Sequence, residues 1–267
     1  MTRRLVLIHL FPTLMNLYGD RGNILCLERR CRWRGIELEI RSLGLGDAFD
    51  PEDADLVFIG GSQDREQRAV ARDLLEVKGP GLTRAAEEGT VILAVCGGYQ
   101  LLGHSYRPAE GETLEGLGIF DARTEHPGPS ARRCIGNVLL QWQDQTLVGF
   151  ENHGGRTYLG PAARPLGRVL AGHGNNGRDG TEGAVWNRCF GTYLHGSLLP
   201  KNPRFADHLI ALALARRHGD SELEPLDDAL ERDAHAWAAR VAKGDGLLAW
   251  LAEKGRYLVR AATVRER

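Results

Sequence analysis

The sequence predicts an α/β fold: a mostly parallel sheet flanked by helices, with added antiparallel strands and C-terminal helices. Three observations carry that reading. The apolar runs ending at Leu10, Ile59 and Val95 are short and nearly uniform, as strands covered on both faces are. The second and third each lead into a glycine pair and then a helix-compatible segment, the alternation expected of a parallel sheet. From Gly116 to Gly191, by contrast, glycines and short alternating runs recur about every ten residues, the spacing of antiparallel strands.

Taken in order, Leu5 to Leu10 is the first buried strand. Asn16-Leu-Tyr-Gly-Asp-Arg-Gly-Asn23 is a polar, glycine-marked turn, and Ile24 to Trp33 has the pattern of a short helix. The basic cluster from Arg29 to Arg34 reads as a solvated helix face, and Gly35 closes the helix. Ile36 to Ile40 alternates apolar with charged residues, as a strand near the sheet edge does. Asp55 to Ile59 is again a strand, Asp64 to Lys78 a helix with Asp64 suited to its start, and Pro80 to Glu88 a further helix. Leu117 to Phe120, Gly136 to Trp142, Leu147 to Phe150, Arg168 to Leu170 and Ala184 to Trp186 read as short strands. Gly172 to Gly180 is a long turn without the alternating acids of a calcium loop, so no ion is assigned to it. Phe190 to His195 is one more strand; Asn202 to His218, Leu226 to Val241 and Gly246 to Lys254 are helices, and Arg260 to Arg267 is a frayed end. The organisation is therefore a domain over residues 1–205 with a helical extension, 206–267, packed on it.

Composition narrows the function. A chain of 267 residues, 42% hydrophobic and 26% charged, is ordinary for a soluble globular protein. Lys+Arg 34 against Asp+Glu 35 leaves a net charge of -1, so nothing points to nucleic acid or an anionic membrane. The five cysteines are odd in number and lack metal or disulfide spacing, which suits a reducing cytoplasm. The first residues briefly imitate a signal peptide, but the apolar run is short, stops at Pro12 and has no small-residue cleavage site. No stretch has the apolar length needed to span a bilayer, so a cytoplasmic, uninserted protein is expected.

The chemistry gathers at Val91-Ile-Leu-Ala-Val-Cys96-Gly-Gly-Tyr-Gln100. A lone cysteine where a buried strand stops, with glycines after it, is how a nucleophile is held up on a sharp strand-to-helix turn. Such an elbow needs small residues two positions either side, and Ala94 and Gly98 meet that need. The thiolate is the reactive form, so Cys96 needs a base nearby, usually from far away in sequence. Of nine histidines, His195 closes a predicted strand and precedes a glycine, as Cys96 does; His153, in Glu151-Asn-His-Gly-Gly-Arg-Thr-Tyr158, is its rival. Strands ending at Ile59 and Val95 would finish side by side at the carboxyl edge of the sheet. Backbone N–H groups of Gly61 or Ser62, with that of Gly97, would then converge on an oxyanion.

These residues resemble a known family. Ala94-Val-Cys-Gly-Gly-Tyr-Gln-Leu-Leu-Gly103 with Gly191-Thr-Tyr-Leu-His-Gly196 is similar to the class I glutamine amidotransferases of the CobB/CobQ type, which have a flavodoxin/Rossmann-like fold. More narrowly, four further blocks resemble the glutaminase (GatD-type) subunits of lipid II isoglutaminyl synthases. They are Leu17-Tyr-Gly-Asp-Arg-Gly-Asn23, Phe58-Ile-Gly-Gly-Ser-Gln-Asp-Arg-Glu-Gln67, Val148 to Tyr158 and Leu194 to Asn202. The resemblance runs in order from about residue 5 to about residue 205.

The resemblance implies that Cys96 attacks the side-chain carbonyl of L-glutamine, that a γ-glutamyl thioester forms and ammonia leaves, and that water activated by His195 then frees glutamate. It selects His195 over His153. It also aligns Arg133, in Ala131-Arg-Arg-Cys-Ile-Gly136, with the arginine that holds the substrate, although a slip of one residue would put Arg132 there. A guanidinium fork suits the α-carboxylate of glutamine. Many class I amidotransferases place a glutamate two residues after the catalytic histidine; here that position is Ser197. Either another acid of this chain substitutes, or a partner lends one, and the resemblance favours the partner: a Mur-ligase-like subunit, MurT, completing the triad in a heterodimer. Glutaminase activity is then expected to be low for the isolated chain and to rise with the partner. The partner would carry ATP and magnesium and amidate the D-glutamate α-carboxyl of the lipid II stem peptide; no cofactor or metal is expected in this chain, which has no Walker loop. Two rivals are an amidotransferase subunit for cobalamin-type cofactor synthesis and a non-catalytic redox sensor using Cys96 on the same scaffold.

Overall fold

The uniformly apolar runs form the middle of one sheet in a computed structural model whose described residues are 3–195 and 198–244. Strands β1 (Arg4–Leu10), β2 (Glu37–Leu43), β3 (Leu56–Ile59) and β4 (Val91–Val95) are followed by β5 (Ser105–Arg107), β6 (Leu114–Glu115) and β7 (Ala122–Glu125). Next come β8 (Cys134–Trp142), β9 (Gln145–His153), β10 (Arg156–Leu159), β11 (Gly167–Ala171) and β12 (Thr181–Glu182). The chain then returns through β13 (Ala184–Trp186) and β14 (Cys189–Thr192). The helices are α1 (Arg21–Trp33), α2 (Asp64–Asp73), α3 (Gly79–Glu87), α4 (Gly97–Leu101), α5 (Pro203–His218) and α6 (Ala229–Ala242).

The main sheet has the order β13-β14-β4-β3-β1-β2 and is parallel except for the edge strand β13. β3 and β4 are buried at every position, which explains their lack of alternation, whereas the edge strand β2 has no buried position and exposes even Ile40. Two four-stranded sheets, β10-β7-β5-β6 and β12-β11-β8-β9, carry the glycine-punctuated middle of the chain. They are antiparallel as expected, apart from a parallel pairing of β5 with β7, and Leu117 to Phe120 forms no strand.

Two expectations about helices change. The segment predicted as one helix from Asp64 to Lys78 ends as α2 at Asp73, and a π-type turn over Leu74–Lys78 bends the chain into α3. The basic cluster is a solvated face only in part: Arg29, Arg32 and Trp33 are exposed, whereas Arg30 and Arg34 turn inward. Arg30 is 1% exposed and makes paired hydrogen bonds to Asp207 and Asp228, and Arg34 donates to Asp207 at 2.7 Å. The carboxylates that draw these guanidinium groups inward lie on α5 and just before α6, 177 and 198 residues along the chain from Arg30.

Helix α5 begins before residue 205 and belongs to the same core as the sheet. Pro203 stands in its first turn, where its missing N–H costs nothing, and Gly219 ends it in the left-handed region. Between them Phe205, Leu209, Ile210, Ala213 and Leu214 recur at helical spacing and are fully buried. The predicted helix over Gly246 to Lys254 and the frayed end lie outside the described residues.

Candidate active site

The site lies at the carboxyl edge of the main sheet, where β4 and β14 run side by side. The register pairs Thr192 with Val95, so residues just beyond both strands meet. Cys96 is the first residue past β4, with φ 50 and ψ -104, a region that L side chains rarely occupy. Its surroundings hold it there. The Cys96 N–H donates to Thr192 O at 2.8 Å, and the Gly98 N–H donates to Gly60 O at 3.1 Å. A Cβ on Gly98 would come within 2.8 Å of Ile59 O, and one on Gly97 within 2.5 Å of Gln67 Nε2. The two glycines are thus required by close approach. Cys96 remains 7% exposed at the floor of a cleft of about 480 Å³.

His195 comes to Cys96 from beyond β14, in a bridge to β9 formed by reciprocal backbone hydrogen bonds with Phe150. The imidazole is fully buried and lies beside Cys96, the two meeting across Gly61, where an added Cβ would stand 2.6 Å from His195 Cε1 and 3.2 Å from Cys96 Cβ. Burial alone would pull its pKa down, but the negative charge on Cys96 and hydrogen bonds to Asp20 and Cys96 outweigh it and raise the pKa to about 10. A pKa raised in this direction favours the protonated ring, the form that can give a proton to a leaving group.

The acid at this imidazole is in the same chain. Asp20 Oδ1 lies 3.1 Å from His195 Nδ1, with both side chains fully buried. Asp20 is thus an acid of this chain that faces the ring, the first of the two alternatives left open by Ser197, which itself is outside the described residues. Sequence reasoning missed Asp20 because a carboxylate in a polar turn is ordinarily solvated. The signal was the Leu17 to Asn23 block, a turn too particular to be only a turn.

Gly61 lies at the site, but not as an oxyanion donor. Its N–H donates to Asp20 Oδ2 at 2.8 Å, which removes it from the pair of candidates. Ser62 is left: the position a Cβ would take on Gly97 is 3.1 Å from Ser62 N, so the two backbones are packed together beside Cys96. Arg133 lines the cleft, and Arg132 does not. Arg133 Nε and Nη2 donate to Asn152 Oδ1 and O, at 2.9 and 3.0 Å, and this leaves Nη1 for a ligand. His153 lines the same cleft, yet its ring is stacked on Tyr193 and its Nδ1 pairs with Gly155 O. Among the described residues no group of three or more His, Cys, Asp or Glu side chains is placed to hold a metal ion, and no helix is long and apolar enough to cross a membrane.

This geometry has known relatives. Residues 6–203 match the CobB/CobQ-like glutamine amidotransferase domain. A Staphylococcus aureus (strain N315) protein named lipid II isoglutaminyl synthase (glutamine-hydrolyzing) subunit GatD is 39% identical over 231 residues, 86% of this chain and 93% of the relative. The chain belongs to the CobB/CobQ-like glutamine amidotransferase family, in its GatD branch. A probable cobyric acid synthase from Methanopyrus kandleri is more distant, 33% identical over 68% of this chain and only 38% of its own length. Among solved structures, PurLQS from Thermotoga maritima aligns with a TM-score of 0.53 at 19% identity, covering 74% of this chain and 89% of that one. That likeness concerns the fold, which is the class I amidotransferase arrangement of a parallel sheet between helices.

Proposed function

We propose that this chain hydrolyses L-glutamine as the ammonia-generating subunit of a lipid II isoglutaminyl synthase. The observation that carries the reading is the Cys96 elbow with His195 packed beside it, in a cleft lined by Cys96 and Arg133. In the first half-reaction the Cys96 thiolate attacks the side-chain carbonyl carbon of glutamine. The C=O electron pair moves to oxygen, which the Gly97 and Ser62 N–H groups stabilise. Collapse breaks the C–N bond, the imidazolium of His195 gives its proton to the departing nitrogen, and ammonia leaves a γ-glutamyl thioester.

The pKa of His195 then changes in the useful direction. Its elevation draws on the charge of Cys96, and that charge is gone once sulfur is acylated. The ring, now neutral, takes a proton from water; the hydroxide adds to the thioester, the C–S bond breaks, and glutamate leaves with the thiolate–imidazolium pair restored. Arg133 Nη1 holds the α-carboxylate of the substrate, fixed by the two bonds from Arg133 to Asn152.

A separate partner completes the assembly. Ammonia at neutral pH is mostly protonated and non-nucleophilic, so it must pass to its acceptor along a closed path. That acceptor is the D-glutamate α-carboxyl of the lipid II stem peptide, activated by ATP and magnesium on a Mur-ligase-like subunit, MurT, in a cytoplasmic heterodimer; amidation gives D-isoglutamine. The test is glutamate release from glutamine by the purified chain, with and without the co-expressed partner, beside Cys96→Ala. Release that requires Cys96, together with amidated lipid II when ATP is present, supports the reading; absence of both under every condition overturns it.

A further inference from the structure

The two N–H groups assigned to the oxyanion belong to separate segments. Ser62 leads into α2, and Gly97 is the first residue of α4. Gln67 on α2 and Gln100 on α4 join them: Gln67 Nε2 donates to Gln100 Oε1 at 2.9 Å, with both side chains buried. The Gln67 carboxamide occupies the place of the side chain that Gly97 lacks. A Cβ on Gly97 would come within 2.5 Å of Gln67 Nε2, 3.1 Å of Ser62 N and 3.2 Å of Ser62 Oγ. The direction of the bond is set from behind. Gln100 Nε2 donates to the Tyr193 hydroxyl at 3.2 Å, so Gln100 Oε1 is the end left to accept. That hydroxyl lies 2.6 Å from Thr157 Oγ1, which lies 2.7 Å from Thr124 Oγ1, and all three residues are buried. Gln67 Oε1, by contrast, is buried with no partner among the described residues. An unpaired buried acceptor destabilises a fold, so an apolar residue of like size would hold the place more stably. What the amide adds is the bond to Gln100.

We infer that Gln67 is a positioning residue of the reaction: its hydrogen bond to Gln100 sets the spacing of the Ser62 and Gly97 N–H groups at the oxyanion. It acts through those two backbones and not on the reacting atoms. The oxyanion exists only after Cys96 has added to the carbonyl carbon. Donors spaced for that oxygen therefore lower the barrier without tightening the bound ground state. Gln67 carries no charge, so the ionisation of Cys96 should not depend on it. The inference deepens the glutaminase reading and rests on it.

The test compares the parent chain with Gln67→Met and Gln67→Glu, each alone and with the Mur-ligase-like partner co-expressed. Met fills the place without the donor; Glu keeps the outline but turns an acceptor toward Gln100 Oε1. In both, kcat for glutamate release should fall about 10- to 100-fold, with KM within about three-fold of the parent value. The open-chain aldehyde analogue of glutamate reports on the oxyanion directly. The Cys96 thiolate adds to its carbonyl carbon, the C=O electron pair moves to oxygen, and that oxygen lies where the oxyanion would. Its inhibition constant should rise by the factor that kcat loses. Alkylation of Cys96 by iodoacetamide should keep its rate and its pH profile, and Gln67→Met should melt at or above the temperature of the parent. An unchanged kcat in Gln67→Met overturns the inference, as does a rise in KM that matches the loss in kcat. A Gln67→Met chain that melts well below the parent, or does not fold, marks the residue as structural and also overturns it. Those outcomes, seen beside an active parent, leave the glutaminase reading standing. A parent complex that releases no glutamate overturns that reading, and this inference with it.

Discussion

Gly61 lies directly against the His195 ring: a Cβ added to it would stand 2.6 Å from Cε1 and 3.2 Å from the Cys96 Cβ. Its backbone is not in the left-handed region, so alanine is excluded by contact alone. Gly61→Ala must push the imidazole away from sulfur, and a misplacement of about 1 Å is commonly worth about 10²-fold in rate. We expect kcat for glutamate release to fall by at least about that factor, with a lowering of stability of about 1–3 kcal/mol from overpacking. Steady-state kinetics beside a thermal melt checks both.

The two arginines of the Ala131 to Gly136 turn should separate cleanly. Arg133→Lys loses the planar fork and its anchorage to Asn152, so KM for glutamine should rise about 10- to 100-fold with a smaller change in kcat. Arg132→Ala should change neither by more than about two-fold. Asn152→Ala should reproduce part of the Arg133 effect, because it frees the guanidinium that it now orients. Initial rates over a range of glutamine concentrations distinguish the three.

Glu182 gives the fold a pH dependence away from the nucleophile. It is fully buried, accepts the Tyr193 N–H at 2.6 Å and the Thr192 hydroxyl at 3.1 Å, and burial raises its pKa from 4.5 to about 8. A carboxyl that keeps its proton in the fold stabilises it fully below about pH 4.5. That contribution declines as pH rises, because the unfolded chain ionises first, and it is spent above about 8. Glu182→Gln removes the titration. Relative to the variant, the parent should lose on the order of 1 kcal/mol or more between pH 5 and pH 8 and nothing further above that. Denaturant melts of both proteins at stepped pH measure the difference.

The buried guanidinium of Arg30 holds helix α1 against α5 and the start of α6. Arg30→Met would leave Asp207 and Asp228 without their paired donor, although Arg34 still reaches Asp207. We expect a loss of about 3 kcal/mol in unfolding free energy, partly recovered when Asp228→Asn is added. Glutamate release at low temperature should stay near the parent value, since none of these groups borders the cleft. Urea unfolding of the single and double variants provides the measurement.

What could be read from the sequence was what local pattern determines. A strand buried on both faces must be uniformly apolar, and an elbow pressed against its neighbours must use glycine, so β4 and Cys96 were legible residue by residue. The choice between His195 and His153 was not, because each closes a strand near the nucleophile; only the fold shows that His153 lines the cleft, stacked on Tyr193, while His195 is buried against Asp20. Asp20 and Arg30 share another difficulty. Each is a charged residue whose burial is justified only by a partner remote in the chain, 175 residues away for Asp20 and 177 for the Asp207 bond of Arg30. Their local context is that of solvated polar residues. Gly61 was placed at the site for its N–H, but its lack of a side chain is what the geometry uses.

The pairing of β14 with β4 has a bearing on how the protein is made. During synthesis the thiol of Cys96 emerges about a hundred residues before the histidine that activates it, and β14 is the last strand to join the main sheet. A nascent chain halted before that point carries an ordinary, unactivated cysteine. Hydrolysis of glutamine therefore cannot begin before β14 and His195 have been made. It switches on only when the final strand docks, so that maturation of the polypeptide and onset of its chemistry are one event.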